Sequence, residues 1–211
     1  MVVIGVCGYP AGGKSAVSAI LQRLGAVWID ADAIAHHVLE MPETIHLVVR
    51  QFGTAVLGPD GKIDRPRLGH LVFGDDEGST IALRYLESII HPRTRAEISS
   101  KLAEAIGQHR PAVVLDIPLL FEGGWDAWCD EVWFVDTPKG LIITLAAKRG
   151  WDAETLDRRI ERQLPADEKR RLSTRIIDNH GSLDDLQAMI DSWWVRHISP
   201  LENSRSQNPH V

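Results

Sequence analysis

An apolar run, Val2 to Cys7, leads straight into Gly8-Tyr9-Pro10-Ala11-Gly12-Gly13-Lys14-Ser15, and a helical pattern follows at once. Val17, Ile20, Leu21 and Leu24 fall at the i, i+3, i+4, i+7 spacing of one helical face, while the run before the loop reads as a short buried strand. The loop fits G-x-x-x-x-G-K-[ST], with Gly8, Gly13, Lys14 and Ser15 at the defining places. In a strand–loop–helix context the backbone N–H groups of the loop and the helix N-terminus, from Gly8 through Ala11, Gly12 and Gly13 to Ala16, converge on an anion. The helix dipole adds partial positive charge at the same point. Lys14 adds a mobile full charge for β- and γ-phosphates, and the Ser15 hydroxyl is placed to ligate Mg²⁺. A strand-to-helix turn that merely needs glycine is the plain alternative; the match in this context favours a nucleoside triphosphate site.

Beyond the loop the pattern alternates. "AVWID" closes on Asp30, and "ADAIAHHVL" already has helical spacing, so the strand should give way to a helix between Asp30 and Asp32. Residues from about 41 to 108 are mostly helical, interrupted by the Pro-Asp-Gly turn of "VLGPDGKIDR". Sheet character returns with "AVVLD" (112–116) and "EVWFVD" (131–136), β-branched runs that each end in aspartate. Residues 138–172 are helical again, "RIIDN" supplies a last strand, and Ser182 with Asp185 opens a closing amphipathic helix as a capping pair. The polar end is expected to fray. Such alternation predicts an α/β fold, a doubly wound parallel sheet with ligands at the carboxyl ends of the strands. Asp116 is then a candidate metal-side carboxylate, or equally a strand-end residue that caps the next turn; Asp136 reads as structural.

The chain has 211 residues, 44% hydrophobic and 25% charged, which suits one globular core with insertions. A net charge of -6 argues against a general nucleic-acid or anionic-membrane partner. Cys7 and Cys129 have neither metal-ligand spacing nor the density of a disulfide scaffold, and read as packing residues in a reducing cytosol. No apolar run approaches the length of a spanning helix, and no basic leader precedes the first strand, so a cytoplasmic location is expected.

Against this background, Lys148 to Arg175 stands out with nine Lys/Arg and six Asp/Glu. A mobile helical lid bringing arginines over phosphates would stabilise equatorial charge and exclude water. Most of these residues must nonetheless be a solvated, ion-paired surface, with two or three touching phosphate.

Together with the loop, the ordered set "IDADAIAHHV", "DGKIDRPRL", "IIHP", "DIPLLFE", "CDEVWFVD", "RRIERQ" and "IIDNHG" resembles the dephospho-coenzyme A kinase family over roughly residues 3–194. The resemblance implies a P-loop kinase-like core with a helical substrate-binding insert and a helical lid. The core would take 1–31, 109–138 and 175–196, the acceptor-side region 32–108, the lid 139–174 and a disordered tail 197–211. The implied reaction moves the ATP γ-phosphoryl, with Mg²⁺, onto the ribose 3′-hydroxyl of dephospho-CoA. By position Asp32 matches the catalytic aspartate, with Lys14 and Arg149 assisting. Asn179 joins the nucleotide side, and Asp32, Arg65, His91, Pro118, Leu119 and Arg159 the acceptor side. Ser15 and Asp116 would face the metal. A monomer is expected, though an oligomer is compatible.

Some residues depart from the family pattern. Tyr9, Pro10 and Ala11 replace flexible loop residues, and Pro10 removes one N–H that could face phosphate. Thr144 stands where arginine is common, and Ser173-Thr174 where Ala-Asp is common. These bear on efficiency and nucleotide preference rather than on fold. The rival readings are a P-loop kinase for a nucleoside or nucleotide acceptor, and a noncatalytic nucleotide-binding regulator.

Overall fold

The computed structural model describes residues 1–74 and 76–200. In chain order its elements are β1 (Val2–Gly8), α1 (Lys14–Arg23), β2 (Val27–Asp30), α2 (Ala31–Glu40), α3 (Pro42–Phe52), α4 (Arg65–Val72), α5 (Glu77–Gly107), β3 (Ala112–Asp116), β4 (Glu131–Asp136), α6 (Lys139–Lys148), α7 (Ala153–Glu161), α8 (Ala166–Leu172), β5 (Arg175–Asp178) and α9 (Leu183–His197). They form two compact units, Met1–Asp30 with the chain from Leu102 onward, and Ala31–Lys101.

The first unit is built on a parallel sheet in the order β2-β3-β1-β4-β5. Because the strands run the same way, Gly8, Asp30, Asp116, Asp136 and Asp178 all terminate them at one edge. Register sets Asp30 beside Asp116 and Asp136 beside Asp178. From β1 the chain crosses to β2 on one side, and later to β4 on the other, so the mouth of β1 is where the order reverses and where α/β sheets hold ligands.

Alternation along each strand covers both faces. Ile4 and Val6 of β1, Ala112 and Val114 of β3, and Trp133 and Val135 of β4 pack with Val17, Ile20 and Leu21 of α1 and with Leu186, Ile190 and Trp193 of α9. The alternate residues of β1 look the other way: a Cβ on Gly5 would meet Cys129 and Leu120, and Cys7 Sγ lies 3.4 Å from Ser173 Oγ. Trp133, fully buried, meets Trp193 edge-on at 4.7 Å between centroids. Burying a side chain of this size contributes about 2–3 kcal/mol, and the edge-to-face pair about another 1 kcal/mol. At α9 the expected capping pair is present: the Ser182 hydroxyl accepts from Asp185 N, and the Asp185 carboxylate accepts from Ser182 N at 2.8 Å.

The second unit is helical. Val48, Val56, Leu68, Val72, Leu86 and Ile89 form its core. Gly58 N donates to Lys62 O at 2.8 Å around the Pro59-Asp60-Gly61 turn, and Asp64 then caps α4 by accepting from Arg67 N. The two helical stretches on either side of His91-Pro92 prove to be one helix, α5. Proline removes a single ladder bond, and Ile89 and Ile98, buried on either side of it, carry the helix through. Among the described residues no helix is long and apolar enough to cross a membrane. Of the tail expected to be disordered, His197 still belongs to α9, and residues 201–211 lie outside the described residues.

Candidate active site

The predicted loop links β1 to α1 as expected. Gly12 N donates to Tyr9 O at 3.0 Å, closing a four-residue turn in which Ala11 has φ 56. Pro10, with its φ held negative by the ring, supplies the second position of the turn, so the geometry is that of a type II turn with a non-glycine residue in its left-handed place. Such a residue costs about 1–2 kcal/mol. An offset is visible: Ala11 is buried with Ile142 and Ala146 of α6 and Leu156 of α7, and Tyr9 and Trp151 pack onto the same cluster. The departures at Tyr9 and Ala11 therefore glue the loop to α6 and α7.

Gly13, just before α1, has φ 83 and takes no side-chain cap; a Cβ there would sit 2.7 Å from Asn179 Nδ2. The free N–H groups that open α1 remain available to an anion. Asn179 Nδ2 donates to Thr137 Oγ1 at 3.1 Å, and Thr137 Oγ1 donates to Gly12 O at 2.7 Å. Asn179, expected at the nucleotide, thus also braces the loop from the end of β5.

Lys14 is half-buried, and its ammonium donates back to Tyr9 O at 2.9 Å. Desolvation draws its pKa from the ordinary 10.5 down to about 8, with Lys169 and Arg149 pushing the same way and Asp116 opposing. A bound polyphosphate would replace a weak carbonyl partner with full negative charge. Ser15 is exposed in the first turn of α1. Asp116, buried at the mouth of β3, accepts from Ser18 Oγ at 3.1 Å, and that hydroxyl also lies 3.2 Å from Lys14 O. Pro118 and Leu119 follow β3 one residue on, after Ile117, and Leu119 is exposed.

In the segment 139–174, expected to form a lid, both expected arginines converge on one ring. The guanidinium carbons of Arg149 and Arg159 lie 5.5 Å and 4.2 Å from the Trp151 ring centroid. Both side chains are exposed and remain available to a further anion. Asp136 is structural, pairing with Arg170 and with His180 at 3.8 Å. The departures at Thr144, Ser173 and Thr174 are absorbed locally: Thr144 bonds Gly140 O at 2.9 Å, Ser173 bonds Lys169 O at 2.7 Å, and Thr174 Oγ1 accepts from Val132 N at 2.9 Å. Both cysteines are free thiols; burial pushes Cys7 up and, with Asp126 and Asp130, pushes Cys129 up to about 12, which suits packing roles.

The second unit carries Asp32 in the first turn of α2, Arg65 as the first residue of α4 and His91 in α5, all exposed. Sequence reasoning did not single out Thr137, Trp151, Lys169 or Glu122. Thr137 carries a faint signal, as the residue after a strand-terminal aspartate; the other three are hidden within an aromatic and charged surface pattern.

A glycine loop at the reversal point of a parallel sheet, with a lysine and a hydroxyl opening the next helix, defines a P-loop kinase class of protein. The chain matches the family model described as dephospho-CoA kinase over residues 2–185 and belongs to that family. It is 46% identical over 200 residues to a dephospho-CoA kinase of Symbiobacterium thermophilum, covering 92% of this chain and 80% of that one. A crystal structure from Thermus thermophilus superposes with a TM-score of 0.77 at 32% identity, covering 93% of this chain and 97% of that one. The dephospho-CoA kinase of Campylobacter jejuni gives 0.66 at 27% identity, covering 94% and 97%.

Proposed function

We propose that this protein transfers the γ-phosphoryl group of ATP to the ribose 3′-hydroxyl of dephospho-CoA, giving coenzyme A and ADP, the last step of coenzyme A synthesis. The observation that carries the reading is family membership along residues 2–185, with the loop lysine and serine in place at the sheet mouth. In this reading the loop N–H groups and Lys14 hold the β- and γ-phosphates, and Arg149 and Arg159 come over them from a lid spanning 139–174. The acceptor region, 32–108, presents Asp32, Arg65 and His91 to dephospho-CoA, with Pro118 and Leu119 flanking, while Asn179 serves the nucleotide side. The 3′-oxygen forms its bond to the γ-phosphorus as the bond to the β,γ-bridging oxygen breaks. The hydroxyl proton passes to the Asp32 carboxylate, and the leaving charge rests on ADP, facing Lys14.

Ser15 and Asp116 are the oxygen donors that would hold Mg²⁺, an ion bound through one or two protein oxygens plus substrate phosphates. Among the described residues no cluster of three or more His, Cys, Asp and Glu could hold a metal ion. When bound, that ion would neutralise charge on the β- and γ-oxygens. We further take the protein to act as a cytoplasmic monomer, without nucleic-acid or membrane partners. The test is ADP release with ATP and Mg²⁺ across dephospho-CoA, nucleosides, nucleotides and shikimate. Turnover only with dephospho-CoA is expected; preference for a nucleoside or nucleotide would replace this reading, and no turnover with any acceptor would favour a noncatalytic binder.

A further inference from the structure

Lys169 does not behave like the residues around it. Its neighbours Arg170 and Arg171 in α8 are exposed, whereas Lys169 is 2% exposed. A buried ammonium is tolerated only when its donors are met. Here Nζ donates to Gln163 Oε1 at 2.6 Å and lies 3.5 Å from Glu122 Oε1. The same carboxylate oxygen accepts from Leu164 N at 2.6 Å. Glu122 belongs to the segment after β3, Gln163 and Leu164 form the junction between α7 and α8, and Lys169 shares a narrow cleft with Gly8, Tyr9 and Pro10 of the loop. One buried cation thus ties together three separate parts of the first unit.

Stability alone is a poor reason to keep such a pair, because apolar replacement of buried ion pairs is often neutral or stabilising. We propose, resting on the kinase reading above, that Lys169 is a positioning residue for phosphoryl transfer: through Glu122 and Gln163 it fixes the α7–α8 junction beneath the phosphate loop, and so sets where the lid arginines stand when nucleotide is bound. The junction is the downstream anchor of α7, which carries Arg159, and the Tyr9 and Ala11 cluster is its upstream anchor. With both anchors made, the arm bearing Arg149, Trp151 and Arg159 has a defined resting geometry. Removing the lower one frees it.

Four variants separate this role from a merely structural one. Lys169→Met removes the cation at similar volume, Lys169→Arg keeps it, Glu122→Gln weakens the clamp from the other side, and Glu122→Gln with Lys169→Met leaves no unpaired charge. For each, Tm, kcat and KM for ATP are measured. Hydrogen exchange of 149–163 is recorded with and without ATP and Mg²⁺. We expect Lys169→Met and the double variant to fold, to lose between about tenfold and 10²-fold in kcat, and to lose ATP-induced protection of 149–163. Lys169→Arg should recover most of kcat. Should Lys169→Met fail to fold, the double variant decides alone. Unchanged kcat, or intact ATP-induced protection of 149–163, beside a lowered Tm would overturn the proposal. If wild-type protein turned over no dephospho-CoA, the kinase reading would fall, while the exchange measurement would still judge the clamp.

Discussion

Thr137 Oγ1 donates to the carbonyl of Gly12 at 2.7 Å, joining the residue after β4 to the middle of the phosphate loop. The hydroxyl also accepts from Asn179 at 3.1 Å, so one side chain connects the ends of two strands with the loop between them. Thr137 is 4% exposed, and water cannot take over its role. Thr137→Val would leave the buried Gly12 carbonyl and the half-buried Asn179 amide without this partner, a loss of about 1–3 kcal/mol. The expected result is a lower Tm together with weaker ATP binding by calorimetry; a drop in Tm with unchanged affinity would show that the brace serves folding alone.

The loop lysine makes a prediction about pH. Its pKa in the folded protein, about 8, lies below the ordinary 10.5, so the unfolded chain holds this proton more tightly. Between those values stability contributed by Lys14 rises with pH, and below about 8 the buried charge is a standing cost. Catalysis needs the charged form. kcat/KM for ATP should therefore fall as pH rises through about 8, and ATP binding near that pH should be accompanied by proton uptake, read from calorimetry in buffers of different ionisation enthalpy. Lys14→Ala should stay folded, lose the uptake, and lose about 10²-fold or more in turnover, since one preorganised charge is worth ~3 kcal/mol.

How much of this was legible differs from residue to residue. The loop, the five strands and the Ser182–Asp185 cap are local patterns, and each is where its spacing placed it. The strand-end aspartates were legible too, but not their fates: Asp136 binds Arg170, whereas Asp116 takes the Ser18 hydroxyl. Lys169 could not be told from Arg170 and Arg171, because a short basic helix gives no sign of which face is covered, and that depends on Glu122, remote in sequence. Ala11 shows the same limit. Its positive φ is sustained by α6 and α7, which the loop sequence does not contain.

The paired arginines on Trp151 lead to a third expectation. Exposed cation–π contacts are worth only about 0.5–1 kcal/mol, so neither guanidinium contributes much to global stability. Arg149→Ala and Arg159→Ala should each leave Tm within a few degrees of wild type while lowering kcat, because their charge matters when phosphate is bound. Thermal unfolding beside steady-state kinetics checks this. A large fall in Tm with full turnover of the folded fraction would make both arginines structural.

The last prediction distinguishes the carboxylates of Asp30-Ala31-Asp32. The strand ends at Asp30 and the helix starts at Ala31, so no residue is left between β2 and α2. Asp30 therefore occupies the position just ahead of the helix, beside Asp116 in the sheet register. Asp32 is already inside the first turn of α2 and exposed. If Asp32 holds the ribose hydroxyl in line and takes its proton, Asp32→Asn keeps shape and polarity but loses the acceptor. Orientation and general-base assistance together commonly contribute about 10²-fold or more, even with a loose transition state. Asp32→Asn should fold as wild type, bind ATP normally and lose most phosphorylation of dephospho-CoA. Asp30→Ala should instead lose ~1 kcal/mol of stability, the usual value of a helix-preceding aspartate, while its folded fraction keeps turning over. Thermal unfolding, ATP titration and product formation on the two variants decide between them, and the opposite pattern would exchange the two roles.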